Sequence, residues 1–198
     1  MPSHVSNLAQ ISSKSIIGDG VTVWDYTQIC DNAVIGIKSK IGRNVYIDSN
    51  VKIGDYCKIQ NNALIYDSAE LHNGVFIGPG VILTNDRNPR AVSTNNEIKS
   101  EFEWDRVGVI INDGASIGAG AICVAPIKIG SWAIIGAGSV VIEDVPDYGL
   151  VVGNPARQIG WVGPAGIRLK MITDNIFECP KSKAKFSLVN GTLQKVKV

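Results

Sequence analysis

Histidine is almost missing from this chain: His4 and His72 are the only two in 198 residues. A zinc site built on three imidazoles is excluded on that count, and no bound metal is expected. Paired cysteines are missing too. Cys30, Cys57, Cys123 and Cys179 are widely and irregularly spaced with no CxxC, so neither a zinc ribbon nor a disulfide framework is indicated, and reduced thiols serving as small hydrophobes are expected. Neither sign of charge prevails: 19 Lys and Arg face 18 Asp and Glu, a net charge of +1. That balance gives no electrostatic case for nucleic acid or an anionic membrane as partner. No apolar run approaches the roughly 20 residues that cross a bilayer, so membrane insertion is not expected. The opening Met1-Pro2-Ser3-His4-Val5-Ser6-Asn7 has neither the basic region nor the apolar stretch of a secretory leader, and a cytoplasmic location is the expectation.

What the chain has in quantity is glycine, 21 residues, and a period of six. Every sixth position from Val5 through Ile11, Ile17 and Val23 to Ile77 and Leu83 is aliphatic. Four residues after each stands a small or β-branched residue, as at Ala9, Ser15, Thr27, Ala33, Cys57 and Ala63, and glycine often follows the aliphatic residue directly, as at Gly18, Gly36 and Gly54. A six-residue period drifts around a 3.6-residue helical turn, so no helix explains it. The pattern resumes at Ile111 and runs to Val141, but 28 residues separate Leu83 from Ile111, which is not a multiple of six. An insertion therefore breaks the phase within about residues 85–106, where charged residues and Asn cluster and where Phe102 and Trp104 could dock the segment on a neighbouring surface.

Hexads of this form resemble the left-handed parallel β-helix. Each hexad is a short strand and a corner, three close one triangular coil, and stability comes from stacking coils. The expected fold is all-β: a prism of nearly seven coils over residues 1–150, one long excised loop, and a short C-terminal extension over 151–198. Function must lie in what the repeat does not require. The insertion is the largest such feature, because a long loop on a rigid scaffold commonly carries a site. The outward polar row Lys58, Gln60, Asn61 and Asn62 is the second, although Asn also suits β-helix corners because it tolerates left-handed backbone angles. Asn61 and Asn62 precede Asn85 by a little over one coil, so a shared pocket is geometrically feasible.

Several segments are more specific than the hexads. They are Ile59-Gln60-Asn61-Asn62, Leu83-Thr84-Asn85-Asp86 with Asn88-Pro89-Arg90, Gly136-Ala137-Gly138-Ser139, and Gly153-Asn154-Pro155-Ala156-Arg157-Gln158-Ile159-Gly160-Trp161. Together they resemble the nucleotide-sugar N-acetyltransferases of the hexapeptide-repeat class. The tail around Glu178-Cys179-Pro180-Lys181-Ser182 resembles the branch that acetylates the 3-amino group of a UDP-linked 2-acetamido-3-amino-2,3-dideoxyuronic acid for surface polysaccharide. The alternatives are a dTDP-3-amino-3,6-dideoxyhexose N-acetyltransferase and a non-catalytic β-helical binding or scaffold protein. Hexapeptide carbonic anhydrases share the repeat but need three His.

The resemblance implies acetyl-CoA as co-substrate, a nucleotide-linked amino sugar as acceptor, and a homotrimer with sites between subunits. It implies Asn85 at the reaction centre and Lys58, Gln60, Asn61, Asn62, Asp86 and Arg90 on the sugar nucleotide. Ala119, Lys128, Ala137, Asn154 and Arg157 would meet coenzyme A. Where the family often has Gly-Ala-Asn-Ala-Thr-Ile, this chain has Gly118-Ala119-Gly120-Ala121-Ile122-Cys123. An amine with a pKa of about 7.7–8 needs no strong base, so alignment and polar donors are the expected requirements. His72, outside the matched motifs, is expected not to be the base.

Overall fold

The structure is a computed structural model that describes residues 4–100 and 103–196; Phe102 lies outside the described residues. Strands of two or three residues recur through the first 141 positions, each ending on the inward residue of a hexad, aliphatic in all but the strand that ends on Cys123. Each pairs in parallel with the strand three hexads later, so Lys58 stands opposite Phe76 and Leu64 opposite Ile82. The result is three ladders of nine, seven and six strands, the three faces of a prism, and the left-handed parallel β-helix expected from the hexads is the architecture formed.

The core follows from the same period. Ile41, Ile47, Ile59, Ile65 and Ile77 are inaccessible or nearly so, with Ala33, Cys57, Ala63 and Ala69 filling the narrow corners. Burying such an aliphatic side chain stabilises by about 1.5–3 kcal/mol, and each coil gains it only against its neighbours. The cysteines are all free, and Cys57 and Cys123 lie fully inside. Burial pushes the Cys123 thiol up to about 12.

From Gly20 onward, one residue of most corners takes a left-handed backbone. The series runs Tyr26, Asn32, Lys38, Asn44, Asn50, Tyr56, Asn62. A second corner device repeats on the edge: the Asp55, Asn61, Asn73 and Asp113 side chains accept hydrogen bonds from the backbone N–H of Ile37, Arg43, Asp55 and Asn73 in the preceding coil, at 2.8–2.9 Å.

The prism is one layer taller than the hexads indicate. Val145 bridges Ile129, and the strand Gly149–Gly153 pairs with Ile134–Ile135, giving an eighth parallel layer on the largest face. This coil is two residues short, with Ser131 bonded to Asp147 sixteen positions on instead of eighteen, so it escapes a six-residue count. The ladder runs through residue 150 without a break, then folds back as the antiparallel strand Ala156–Trp161. A four-stranded antiparallel sheet follows, Lys170–Thr173, Ile176–Glu178, Lys185–Val189 and Thr192–Lys195. It has its own small core of Leu169, Cys179, Phe186 and Leu193, held to the prism where Phe186 meets Tyr148 edge-on at 5.4 Å. Among the described residues no helix is long and apolar enough to cross a membrane.

Candidate functional site

The insertion leaves at the corner after Ile82–Leu83. Glu70 pairs with Ile110, 40 positions on, against a regular step of 18, so 22 extra residues project from one corner of one coil. The segment is an irregular hairpin. Its base is closed by a bridge between Asp86 and Arg106 and by Val107 N–H to the Asn85 carbonyl at 3.3 Å; further out Val92 bridges Ile98. Asp86 Oδ1 accepts from Asn88 N–H at 2.8 Å, the local bond that starts the turn. Re-entry depends on Gly108, where any Cβ would overlap the Ser68 carbonyl.

Between the hairpin and the prism is a cleft of about 450 Å³ lined by Tyr66, Asn85, Asp86, Arg90, Lys99 and Trp104 among others. Three of the residues expected from the sequence, Asn85, Asp86 and Arg90, therefore share one cavity. The Arg90 guanidinium donates to the adjacent Pro89 carbonyl at 2.9 Å and has no carboxylate partner among the described residues. Arg90 and Lys99 together outnumber the single carboxylate Asp86, which leaves the cleft net positive.

Lys58, Gln60 and Asn61 line a different cleft, of about 350 Å³, on the largest face and its following corner, with Trp24, Lys40 and Arg43. Within one chain the structure does not bring these two groups together: they sit at different corners. Asn61 and Asn62 also have places in the scaffold. Asn61 caps Arg43, and Asn62 has φ 61° and accepts from Asn44 at 2.9 Å. The coenzyme A candidates spread further. Ala119 and Ala137 stand on the corner after the largest face, where the Ala119 carbonyl accepts from Gly138 N–H at 2.8 Å. Asn154 and Arg157 are in the hairpin that ends that face. Lys128 lines a separate cleft on the third face with Asp144 and Asp147. His72 is exposed beside Lys52, Glu70 and Asn73, and does not line the loop cleft.

Sequence reasoning missed the support beneath the loop. Asp67 is 8% exposed, and its carboxylate lies 3.5 Å from the Arg106 guanidinium and 3.3 Å from Asn50 Nδ2. Arg106 also lies over the Trp104 ring at 5.7 Å. Below, Asp48 accepts from Tyr46 Oη at 3.0 Å and from Asp67 N–H at 3.2 Å. Burial, with Cys30 and Asp48 alongside, raises the Tyr46 hydroxyl, which keeps it a donor. Nothing in the hexad marked it, because Asp25, Asp31 and Asp55 hold the same position in their own corners and are only half-buried.

A family model described as "Bacterial transferase hexapeptide (six repeats)" matches residues 32–67 and 50–85. The chain is 44% identical over 87 residues to a dTDP-3-amino-3,6-dideoxy-alpha-D-galactopyranose 3-N-acetyltransferase of Aneurinibacillus thermoaerophilus, covering 44% of either chain. It is 38% identical over 152 residues to the bifunctional protein GlmU of Thermotoga petrophila, covering 75% of this chain and 30% of that one. The chain thus spans less than half the length of these curated relatives. Its backbone resembles AntD, an N-acyltransferase from Bacillus cereus solved in complex with dTDP and coenzyme A, at 21% identity and a TM-score of 0.55, with 81% of this chain and 82% of that one covered.

Proposed function

We propose that this protein transfers an acetyl group from acetyl-CoA to the 3-amino group of a nucleotide-linked amino sugar, a UDP-linked 2-acetamido-3-amino-2,3-dideoxyuronic acid. The observation that carries this reading is the cleft at the broken hexad, which gathers Asn85, Asp86 and Arg90 under a 22-residue loop. The similarity to an aminosugar N-acetyltransferase, and a fold shared with an acyltransferase solved with coenzyme A, support the reaction class.

In this reading the sugar amine attacks the thioester carbonyl, the carbon–sulfur bond breaks, and the coenzyme leaves as a thiolate. The proton lost by nitrogen goes to that thiolate or to water. Asn85 holds the amine by hydrogen bonding and cannot itself take the proton. Asp86 positions the sugar, and Arg90 meets the uronate carboxylate through the fork that suits it. Backbone groups at Ala119 and Ala137, with Lys128, Asn154 and Arg157, hold coenzyme A.

The site is completed between subunits of a homotrimer. Between the two corners that carry the halves of the sugar-nucleotide set, the seven-stranded face presents an outward column of Tyr46, Leu64, Ile82, Ile122 and Val140, registered strand to strand. A neighbouring prism seated there would carry one copy's loop toward the next copy's Lys58 cleft.

The test is thiol release from acetyl-CoA with matched acceptors. Turnover is expected with the UDP-linked 3-amino uronate and less with a dTDP-linked 3-amino-6-deoxyhexose. Arg90→Ala should lose about tenfold or more on the uronate and little on the deoxyhexose, because a hydrogen bond to a charged group contributes roughly 1.5–3 kcal/mol. Equal losses remove Arg90 from carboxylate recognition, and the absence of thiol release with every amino sugar overturns the reading.

A further inference from the structure

Two ladders of this prism carry charge at the same outward position, and they treat it differently. On the six-stranded face Lys52 stands opposite Glu70, and the pair closes at 2.7 Å. On the nine-stranded face Lys40 stands opposite Lys58, like charge against like on adjacent strands. Such a pair is unfavourable unless an anion sits over it. No carboxylate pairs with either lysine among the described residues. Arg43 joins them in the same cleft, where the only carboxylate is Asp25, which accepts from Ser6 Oγ at 2.5 Å. Three cations against one carboxylate make this cleft a place for a polyanion. Its far end has an aromatic floor: Trp24 is 51% exposed, and Arg43 already covers the neighbouring Tyr26 at 4.9 Å.

The geometry points to this cleft as the seat of a nucleoside diphosphate, with the two phosphates over Lys40, Lys58 and Arg43 and the base stacked on Trp24. The assignment rests on the acetyl-transfer reading for what lies beyond the phosphates, and the order along the prism agrees with it. Lys58 lies one coil below the coil that bears Asn85, Lys40 two and Trp24 three. At about 4.8 Å per coil, those steps are roughly 5, 10 and 14 Å. With prisms side by side and coils level, the loop of one copy meets the cleft of the next in the sequence amine, phosphates, base, which is the order of groups in a nucleotide sugar. Gln60 has no side-chain hydrogen bond among the described residues and is placed to meet the ligand beside Lys58.

Binding of UDP alone tests the assignment without requiring any turnover. Calorimetry on the full chain should show UDP binding that weakens with added salt, with inorganic pyrophosphate weaker and uridine alone weaker still. The paired charge-removing variant Lys40→Gln/Lys58→Gln should raise the UDP dissociation constant by about tenfold or more. Trp24→Leu should weaken UDP while leaving pyrophosphate unchanged, a split that general destabilisation would not produce; circular dichroism checks that both variants fold. Unchanged UDP affinity in the lysine variant overturns the proposal, even in an active acetyltransferase. Pyrophosphate binding as tight as UDP, with no effect of Trp24→Leu, also overturns it, because the cleft would then be an anion site only. UDP affinity lost with the lysines in a protein that releases no thiol upholds the cleft and leaves acetyl transfer as the part that fails.

Discussion

Single residues here serve the coil first and the ligand second, and Asn61 shows how to separate the two. Its Oδ1 accepts from the Arg43 N–H of the coil before, the same bond that Asp55 and Asp113 make at their own corners. The position needs an acceptor, not an amide. Asn61→Ala should therefore cost about 1 kcal/mol, a fall of a few degrees in melting temperature (~2–4 °C) for a chain of this size. Asn61→Asp should melt close to the parent. If the Asp variant is stable yet weak in substrate binding, the lost amide donor is what the ligand used; an Asp variant as unstable as the Ala variant would show that the cap is not the residue's role. Asp67 belongs to the same scale. It is a buried carboxylate whose partner Arg106 reaches it only because the loop returns at that corner. No local pattern announces a pairing across so many positions.

At the scale of elements, strand and corner were readable because both follow a period that side-chain volume enforces: an aliphatic residue inside and a small one where the prism narrows. The last coil was not readable. Val145 and Val151 occupy the same inward positions as Ile129 and Ile135, yet a step of sixteen residues hides them from a count by six. The insertion was placed by its broken phase, but its hairpin form was not foreseen, since its bridges at Asp86 and Val92 are isolated and carry no alternation. Asn85, Asp86 and Arg90 were legible as neighbours because they are close in sequence. The separation of Lys58 from Asn85 was not, because a linear count gives height along a prism and not the corner. The loop contributes little to the core, so replacing residues 88–104 by a short glycine linker should leave the far-ultraviolet spectrum and melting nearly unchanged while acetyl transfer is lost; loop-closure entropy changes slowly with length. Global unfolding of this deletion would show the hairpin to be part of the fold.

For the whole molecule, the question is what covers the seven-stranded face. Its outward side chains from Tyr46 to Val140 form an unbroken apolar column across five strands, whereas the outward side chains of a solvent-facing sheet are ordinarily polar. In the trimeric reading, Ile122→Glu puts a charge in the middle of that column without touching the buried Cys123 beside it. Light scattering should then report a smaller species, with acetyl transfer lost and circular dichroism retained. A variant that keeps the parent's mass would remove this face from the assembly.

The ladder that joins coil to coil also has a mechanical meaning. Its hydrogen bonds run along the prism axis, so a pull applied between Val5 and Val151 loads them in tension, one layer at a time, like a coil spring drawn apart from its end. Each regular layer holds the 18 residues between registered partners such as Lys58 and Phe76, whereas the layer with the hairpin holds the 40 between Leu71 and Ile111. At about 3.4 Å per extended residue, ordinary layers would each pay out roughly 60 Å of thread and that one roughly 135 Å. Stretched as a single molecule, the chain carries its own ruler: a train of near-equal steps, the last shorter by two residues, interrupted by one more than twice as long at the layer that holds Asn85.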